Sequence, residues 1–155
     1  MIKMIIKRAK VSDLEEILSL QKMAYKSEAE IYNDYSIPPL SQTLDEIKDE
    51  FKSSIFLKAV ENGRIIGSVR GTQLNSKTCY IGRLIVHPDF QNHGIGTKLM
   101  EEIEKIFNEC KRFKLITGHK SEKNIKLYEK LNYNKYKIEK LTENLNLVYL
   151  EKTLH

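Results

Sequence analysis

The stretch VHPDFQNHGIG, residues 86–96, places two of the chain's seven glycines one residue apart, directly before a helical pattern. Amides at a helix start carry partial positive charge, and glycine lets a ligand come close to the backbone. Gly94 and Gly96 could therefore cradle an anionic group such as a phosphate. A strand-turn-helix junction that uses glycine for packing alone has the same pattern, so the spacing by itself leaves both readings open. A second stretch, residues 25–42, mixes tyrosines (Tyr25, Tyr32, Tyr35) with acids (Glu28, Glu30, Asp34). Carboxylates and aromatic faces suit a cationic amine, and a solvated helix extension fits equally. His87 and His93 lack metal-ligand spacing and read as turn residues, so no metal is expected. Cys79 and Cys110 have no paired spacing and read as small apolar residues.

The elements that must position these residues belong to a chain of ordinary globular composition. Its 155 residues are 41% hydrophobic and 30% charged, enough for one domain, 1–155, with its own core. The net charge of +5 is spread among 21 acidic residues with no dense basic block. That argues for a solvated surface and against nucleic-acid binding, while still favouring an anionic cofactor. The opening MIKMIIKRAK has no apolar run long enough for a signal segment or a membrane span. The unpaired cysteines fit a reducing, cytoplasmic setting.

Residues 2–8 read as a strand, with Ile2, Met4 and Ile6 alternating. SDLE at 12–15 has the form of a capping box with Ser12 as cap, opening a helix over 12–25. Pro38 and Pro39 argue against helix in the segment that follows. TLDE at 43–46 is a second capping box, for a short helix to about Phe51. Two apolar stretches then flank Asn62-Gly63, the signal of a tight hairpin. LNSK at 74–77 turns the chain again into TCYIGRLIV, which reads as the central strand and ends at Val86 before Pro88. From Gly94 the period changes to helical, with Ile95, Leu99, Ile103, Ile106 and Phe107 on one face. FKLITGH is a strand, Ser121 caps a helix to Leu131, and YNKYKIEKL and NLVYLEKTL are two final strands. The fold class is therefore α/β (α+β): a mixed, mostly antiparallel central sheet flanked by helices.

With the glycine turn placed between central strand and main helix, residues 86–100 resemble the acetyl-coenzyme A signature of the GNAT N-acetyltransferase superfamily. Its core is Gln/Arg-x-x-Gly-x-Gly/Ala, and Gln91, Gly94 and Gly96 occupy the fixed positions. NIKLYEKLNY, residues 124–133, is similar to the family's second landmark, with Asn132 where many members have glycine, a tolerable exchange at a helix end. The order of strands and helices over nearly the whole chain also resembles that fold. The resemblance implies acetyl-coenzyme A as co-substrate. Leu84, Ile85 and Val86 would pair by backbone with its pantetheine arm. The amides of Gln91, Asn92, His93, Gly94, Ile95, Gly96 and Thr97 would hold its pyrophosphate, with the Gln91 side chain nearby. Asn124 would contact the arm, and Tyr128, four residues on along the same helix face, would lie by the thioester sulfur. The family's acceptor groove commonly borders the region after the first helix, which makes Tyr25, Glu28, Glu30, Tyr32 and Asp34 candidate substrate contacts.

The chemistry so implied is direct acetyl transfer to a primary amine. An alkylamine with a pKa of about 10.4 has about one molecule in a few thousand neutral at pH 7, so its proton must be removed or relayed. The departing thiolate benefits from a donor, and tyrosine, protonated at neutral pH, suits Tyr128 as general acid. The central strand carries no carboxylate to act as base. Glu28, Glu30, Asp34, Glu46, a water relay and, less favoured, His119 remain candidates. Expected partners are a small-molecule or peptide amine acceptor, with a homodimer left open and neither nucleic acid nor membrane. A non-catalytic coenzyme A-binding sensor or subunit is the competing reading, and the presence of Tyr128 counts against it.

Overall fold

The computed structural model describes residues 3–154, which build a single seven-stranded sheet with helices on both faces. β1 (Ile5–Arg8) leads through a 3₁₀ turn at Val11–Asp13 into α1 (Leu14–Tyr32). Met4 and Ile6 pack on the core while Ile5 is exposed, so the alternation seen in the sequence is real there. Ile2 lies outside the described residues. The first cap differs from expectation. Ser12 sits inside the 3₁₀ turn and caps nothing; Asp13, the residue before α1, makes no side-chain bond to that helix, and its Oδ2 instead accepts from the Lys10 amide ahead of the 3₁₀ turn at 2.7 Å.

Helix α1 also runs a further seven residues past the expected end at 25. The apolar stripe Leu14, Ile17, Leu18 continues through buried Gln21 to Ala29 and Tyr32, and the helix stops only where Asn33 turns left-handed (φ 49°). Glu28 and Glu30 are good helix formers, and tertiary burial of Ala29 and Tyr32 carried the helix through a segment that looks polar in sequence. Pro38 and Pro39 open the one-turn helix α2 (Pro38–Ser41) instead of excluding it. A proline in the first turn gives up only an amide that would have had no helical partner. α3 (Leu44–Phe51) carries the expected capping box, Thr43 N–H donating to Glu46 Oε1 at 2.9 Å and Glu46 N–H to Thr43 Oγ1 at 3.2 Å.

The hairpin β2 (Ile55–Glu61) and β3 (Arg64–Gln73) turns at Asn62 and Gly63, both at positive φ (51° and 74°), as a two-residue turn requires. β4 (Thr78–Val86), α4 (Ile95–Ile106), β5 (Arg112–Gly118), α5 (Glu122–Lys130), β6 (Asn134–Lys140) and β7 (Asn146–Thr153) complete the chain. The strand order is β1-β2-β3-β4-β5-β7-β6, which puts β4 at the centre. All neighbours are antiparallel except β4 and β5, which α4 connects as a crossover. Successive side chains along the strands split into two cores. Phe56, Ile65 and Ile85 pack under α1 and α3, whereas Leu57, Ile66, Val69 and Ile81 pack under α4. On α4 the buried residues are Ile95, Leu99, Met100 and Ile103; Ile106, expected on that face, is exposed at the helix end.

One buried polar group ties the N-terminal helices to the sheet. Arg70 on β3 is 2% exposed and donates to both oxygens of Glu50 at 3.1 Å, to Gln21 Oε1, and to Gln42 Oε1 at 3.4 Å. Its guanidinium also lies 4.6 Å from the Phe56 ring centre. Burial pulls the Arg70 pKa down to about 10, and the Glu50 charge opposes that pull. Glu50→Ala is expected to lower stability by about 3 kcal/mol, the low end for orphaning a buried ion because Glu50 is itself partly exposed. Urea denaturation measures it, and a loss below about 1 kcal/mol would show that water already solvates this cation.

Candidate active site

β4 and β5 are in register only at Thr78–Arg112, Cys79–Phe113 and Tyr80–Lys114, and then part. On its other edge β4 stays paired with β3 as far as Val86. The β4 backbone beyond Tyr80 therefore has one edge open, which is the surface an extended chain adds to in β-augmentation. A cavity of about 390 Å³ fills the opening. Its walls come from Tyr80–Leu84 of β4, Leu115–Gly118 of β5, α1, the α2 prolines, α5 and the loop before β7.

At the end of β4, a 3₁₀ turn at Pro88–Phe90 leads into residues 91–94 and then α4. Asn92 (φ 67°) and Gly94 (φ 79°) are both left-handed, and Gly94 is the N-cap of α4. Gln91, Asn92, His93 and Gly94 are exposed, Ile95 is buried, and Gly96 and Thr97 are half-buried. The first-turn amides of α4 have no helical acceptor. The Gln91 side chain folds back, its Nε2 donating to the Val86 carbonyl at 3.4 Å. Gly96 has a different role from Gly94. A Cβ there would stand 3.3 Å from Leu127 and 3.6 Å from Leu84, so its absence lets the start of α4 press against β4 and α5. Leu84 and Val86 pack on the α4 core and Ile85 on the α1 core, leaving their backbone as what faces the open edge. His87 is more than a turn residue: it is buried, accepts from the Asp89 amide at 3.0 Å and meets Arg64 at 2.7 Å.

Asn124 and Tyr128, one turn apart on α5, both line the cavity. Tyr128 is 6% exposed, and among the described residues none hydrogen-bonds its hydroxyl. Burial first, then the neighbouring Tyr25, Tyr80 and Glu28, push its pKa well above the ordinary tyrosine value. From α1, Tyr25, Glu28 and Tyr32 line the same cavity, spaced at the helical repeat. Glu28 is held there by Ser121, whose hydroxyl donates to Oε2 at 2.6 Å; Ser121, expected as a helix cap, makes no such bond. The Tyr32 hydroxyl accepts from the Lys120 amide at 2.8 Å and lies 3.2 Å from Ser121 Oγ. Gly118 exists for this contact, since a Cβ there would stand on the Tyr32 hydroxyl.

Glu30 and Asp34 are not brought to the cavity. Glu30 is exposed, two residues round the helix from Glu28, and Asp34 accepts from the Ser36 amide at 2.9 Å in the loop after α1. Glu46 is spent on the α3 cap. His119 is outside the lining, and its Nδ1 lies 2.9 Å from the Asn146 amide nitrogen and 3.2 Å from the Asn146 carbonyl oxygen. Cys79 and Cys110 are buried and free, and burial raises the Cys79 thiol to about 12, so it stays protonated at neutral pH. Tyr80 and Arg83 are among the lining residues that escaped the sequence reading. A charge in the middle of an apolar central strand was the available signal for Arg83.

The family model for the acetyltransferase (GNAT) family matches residues 14–133, more than half of the chain. The chain belongs to that family. Its domain is therefore an acetyltransferase domain of the GNAT type. The open β4 edge and the free amides before and within the first turn of α4 suit a long, anionic ligand. UPF0157 protein YqkA of Bacillus subtilis (strain 168) is 28% identical over 132 residues, 85% of this chain; the chain spans 38% of that relative's length. The PaiA N-acetyltransferase of Thermoplasma acidophilum, solved with coenzyme A, superposes with a TM-score of 0.80 at 18% identity, over 97% of this chain and 99% of that one. The ribosomal-protein-S18-alanine N-acetyltransferase of Escherichia coli gives 0.81 at 15% identity, over 98% and 94%. At such identities these two speak for the fold. Among the described residues no cluster of His, Cys, Asp and Glu could hold a metal ion, and no helix is long and apolar enough to cross a membrane.

Proposed function

We propose that this chain transfers an acetyl group directly from acetyl-coenzyme A to a primary amine, with Tyr128 as general acid. The observation that carries the reading is the Tyr128 hydroxyl, uncommitted and held protonated by burial, in the cavity where β4 and β5 part. The backbone of Leu84, Ile85 and Val86 would bind the pantetheine arm, Asn124 would steady it, and the amides from Gln91 to Thr97 would bind the pyrophosphate. When bound, acetyl-coenzyme A supplies the acetyl group and needs a proton for its sulfur as the thiol leaves. Tyr128 would give that proton. Glu28, fixed by Ser121 in the same cavity, would attract the ammonium form of the acceptor, and a water relay would take the proton that the nitrogen gives up as it bonds to the acetyl carbon. Tyr25 adds an aromatic face for the cation.

Free-thiol release from acetyl-coenzyme A with a broad amine panel tests the reading. Turnover of at least one amine is expected. Tight binding of the donor with no amine acetylated would put a coenzyme A-binding role in its place. With the best amine in hand, Glu28→Gln is expected to raise the acceptor KM about tenfold, the loss of one charge-assisted contact, and leave the KM for acetyl-coenzyme A within about twofold. Glu30→Gln and Asp34→Asn should leave both constants unchanged. An unaltered acceptor KM in the Glu28 variant would remove Glu28 from the acceptor site.

A further inference from the structure

Two ionised side chains line the cavity, Glu28 and Arg83, one of each sign. Glu28 already has a partner in Ser121. Arg83 does not: its Nη1 is buried with nothing to accept from it, and none of the described carboxylates forms an ion pair with it. The contrast with Arg70 lies in the charge: that guanidinium, although its Nε also lacks an acceptor, is paired with the Glu50 carboxylate. A buried guanidinium nitrogen with no acceptor, on a side chain that lines a cavity, is an incomplete arrangement.

The strand is bent to put Arg83 there. Ser68 faces Ile85 and Arg70 faces Gly82, so β4 holds one residue more than β3 across this span. Arg83 occupies that bulge at φ 47°, a left-handed backbone that arginine does not favour and that the surrounding ladder imposes. A bulge re-aims a side chain, and strain of this kind gathers at functional positions. The charge of Arg83 is felt by Tyr25 and Tyr80, two of the phenols that also act on Tyr128, and by Arg70. Tyr25, Tyr80, Arg83 and Tyr128 all line the one cavity, which puts Arg83 among the groups around the proposed acid. The glycine cradle begins past Val86, three strand residues or roughly 10 Å further on.

We infer that the acceptor is an amine that also bears a carboxylate, an amino acid rather than a polyamine or an amino sugar, and that Arg83 binds this carboxylate. The inference rests on the acetyl-transfer reading above and narrows its acceptor. Opposite charges on the two walls match the two ends of a zwitterion: ammonium toward Glu28, carboxylate toward Arg83. A planar guanidinium takes a carboxylate through two parallel hydrogen bonds, which a carboxamide cannot match in charge.

The test compares amino acids with their α-carboxamides and with putrescine, by free-thiol release. The carboxylate form is expected to win in kcat/KM by about ten- to a hundredfold, the worth of one charge-assisted pair. Arg83→Gln should bring the ratio of acid to amide within about twofold and leave the KM for acetyl-coenzyme A unchanged. Arg83→Lys, which keeps the charge and loses the fork, should retain part of the preference, and it reads the same ratio should the glutamine variant not fold. Equal or better use of carboxamides or putrescine by the wild type, or an undiminished preference in Arg83→Gln, would overturn the assignment while leaving acetyl transfer intact. Calorimetry of amino acids into the coenzyme A-loaded protein reads the same contact without turnover. Binding that weakens at least tenfold in Arg83→Gln supports it even if no amine is acetylated, and no binding of any amino acid to the wild type overturns it.

Discussion

Tyr128→Phe is expected to lower kcat by about a hundred- to ten-thousandfold while coenzyme A affinity stays within about twofold. Phenylalanine keeps the ring that packs 6.1 Å from the Tyr133 ring and fills the same core position, so the cavity keeps its shape. Only the hydroxyl is lost, and no described residue depends on it for a hydrogen bond. The pH dependence separates an acid from a packing residue. A general acid works in its protonated form, and burial raises the Tyr128 pKa above the ordinary value of 10.0. The active form therefore persists to higher pH, and the wild-type profile should show no loss attributable to this phenol below about pH 10. Stopped-flow kinetics under conditions where chemistry limits the rate is the measurement. A wild-type-like kcat in the variant would strike Tyr128 from the catalytic role.

Gly96→Val is expected to weaken coenzyme A binding by at least tenfold. With a bare Cβ position already 3.3 Å from Leu127 and 3.6 Å from Leu84, the two extra methyl groups of valine must push α4 away from β4 and α5. That displaces the first-turn amides, and losing one charge-assisted hydrogen bond of about 1.5–3 kcal/mol accounts for the effect. The same overpacking costs about 1–3 kcal/mol of stability, so thermal melts must accompany the calorimetry to show that the variant is folded. Gly94→Ala makes the contrast: nothing lies within 4 Å of its Cβ, and the expected cost is backbone strain at φ 79°. Unchanged coenzyme A affinity in a folded Gly96→Val protein would reduce the glycine turn to a packing junction.

Much of this protein is legible in its sequence because the signals are local. A hairpin at Asn62-Gly63, a capping box at Thr43 and Glu46 and the change of period at Gly94 each depend on residues a few positions apart, and each appears where the pattern puts it. The glycine turn and the Asn124–Tyr128 pair carry the family for the same reason: both are short motifs within one element or junction. Local pattern failed where burial overrode it. Helix α1 continued to Tyr32 because Ala29 and Tyr32 found partners near Leu145 and Ser121, distant in sequence. Pairing across the fold likewise decided which acids face the cavity. Glu28, Glu30 and Asp34 are equivalent as letters, yet only Glu28 shares a helix face with Tyr25 and Tyr32 and meets Ser121 from the opposite wall. The parting of β4 from β5 after Tyr80 and the bulge that turns Arg83 into the opening are properties of strand register. Register belongs to pairs of strands, and the sequence of one strand does not contain it.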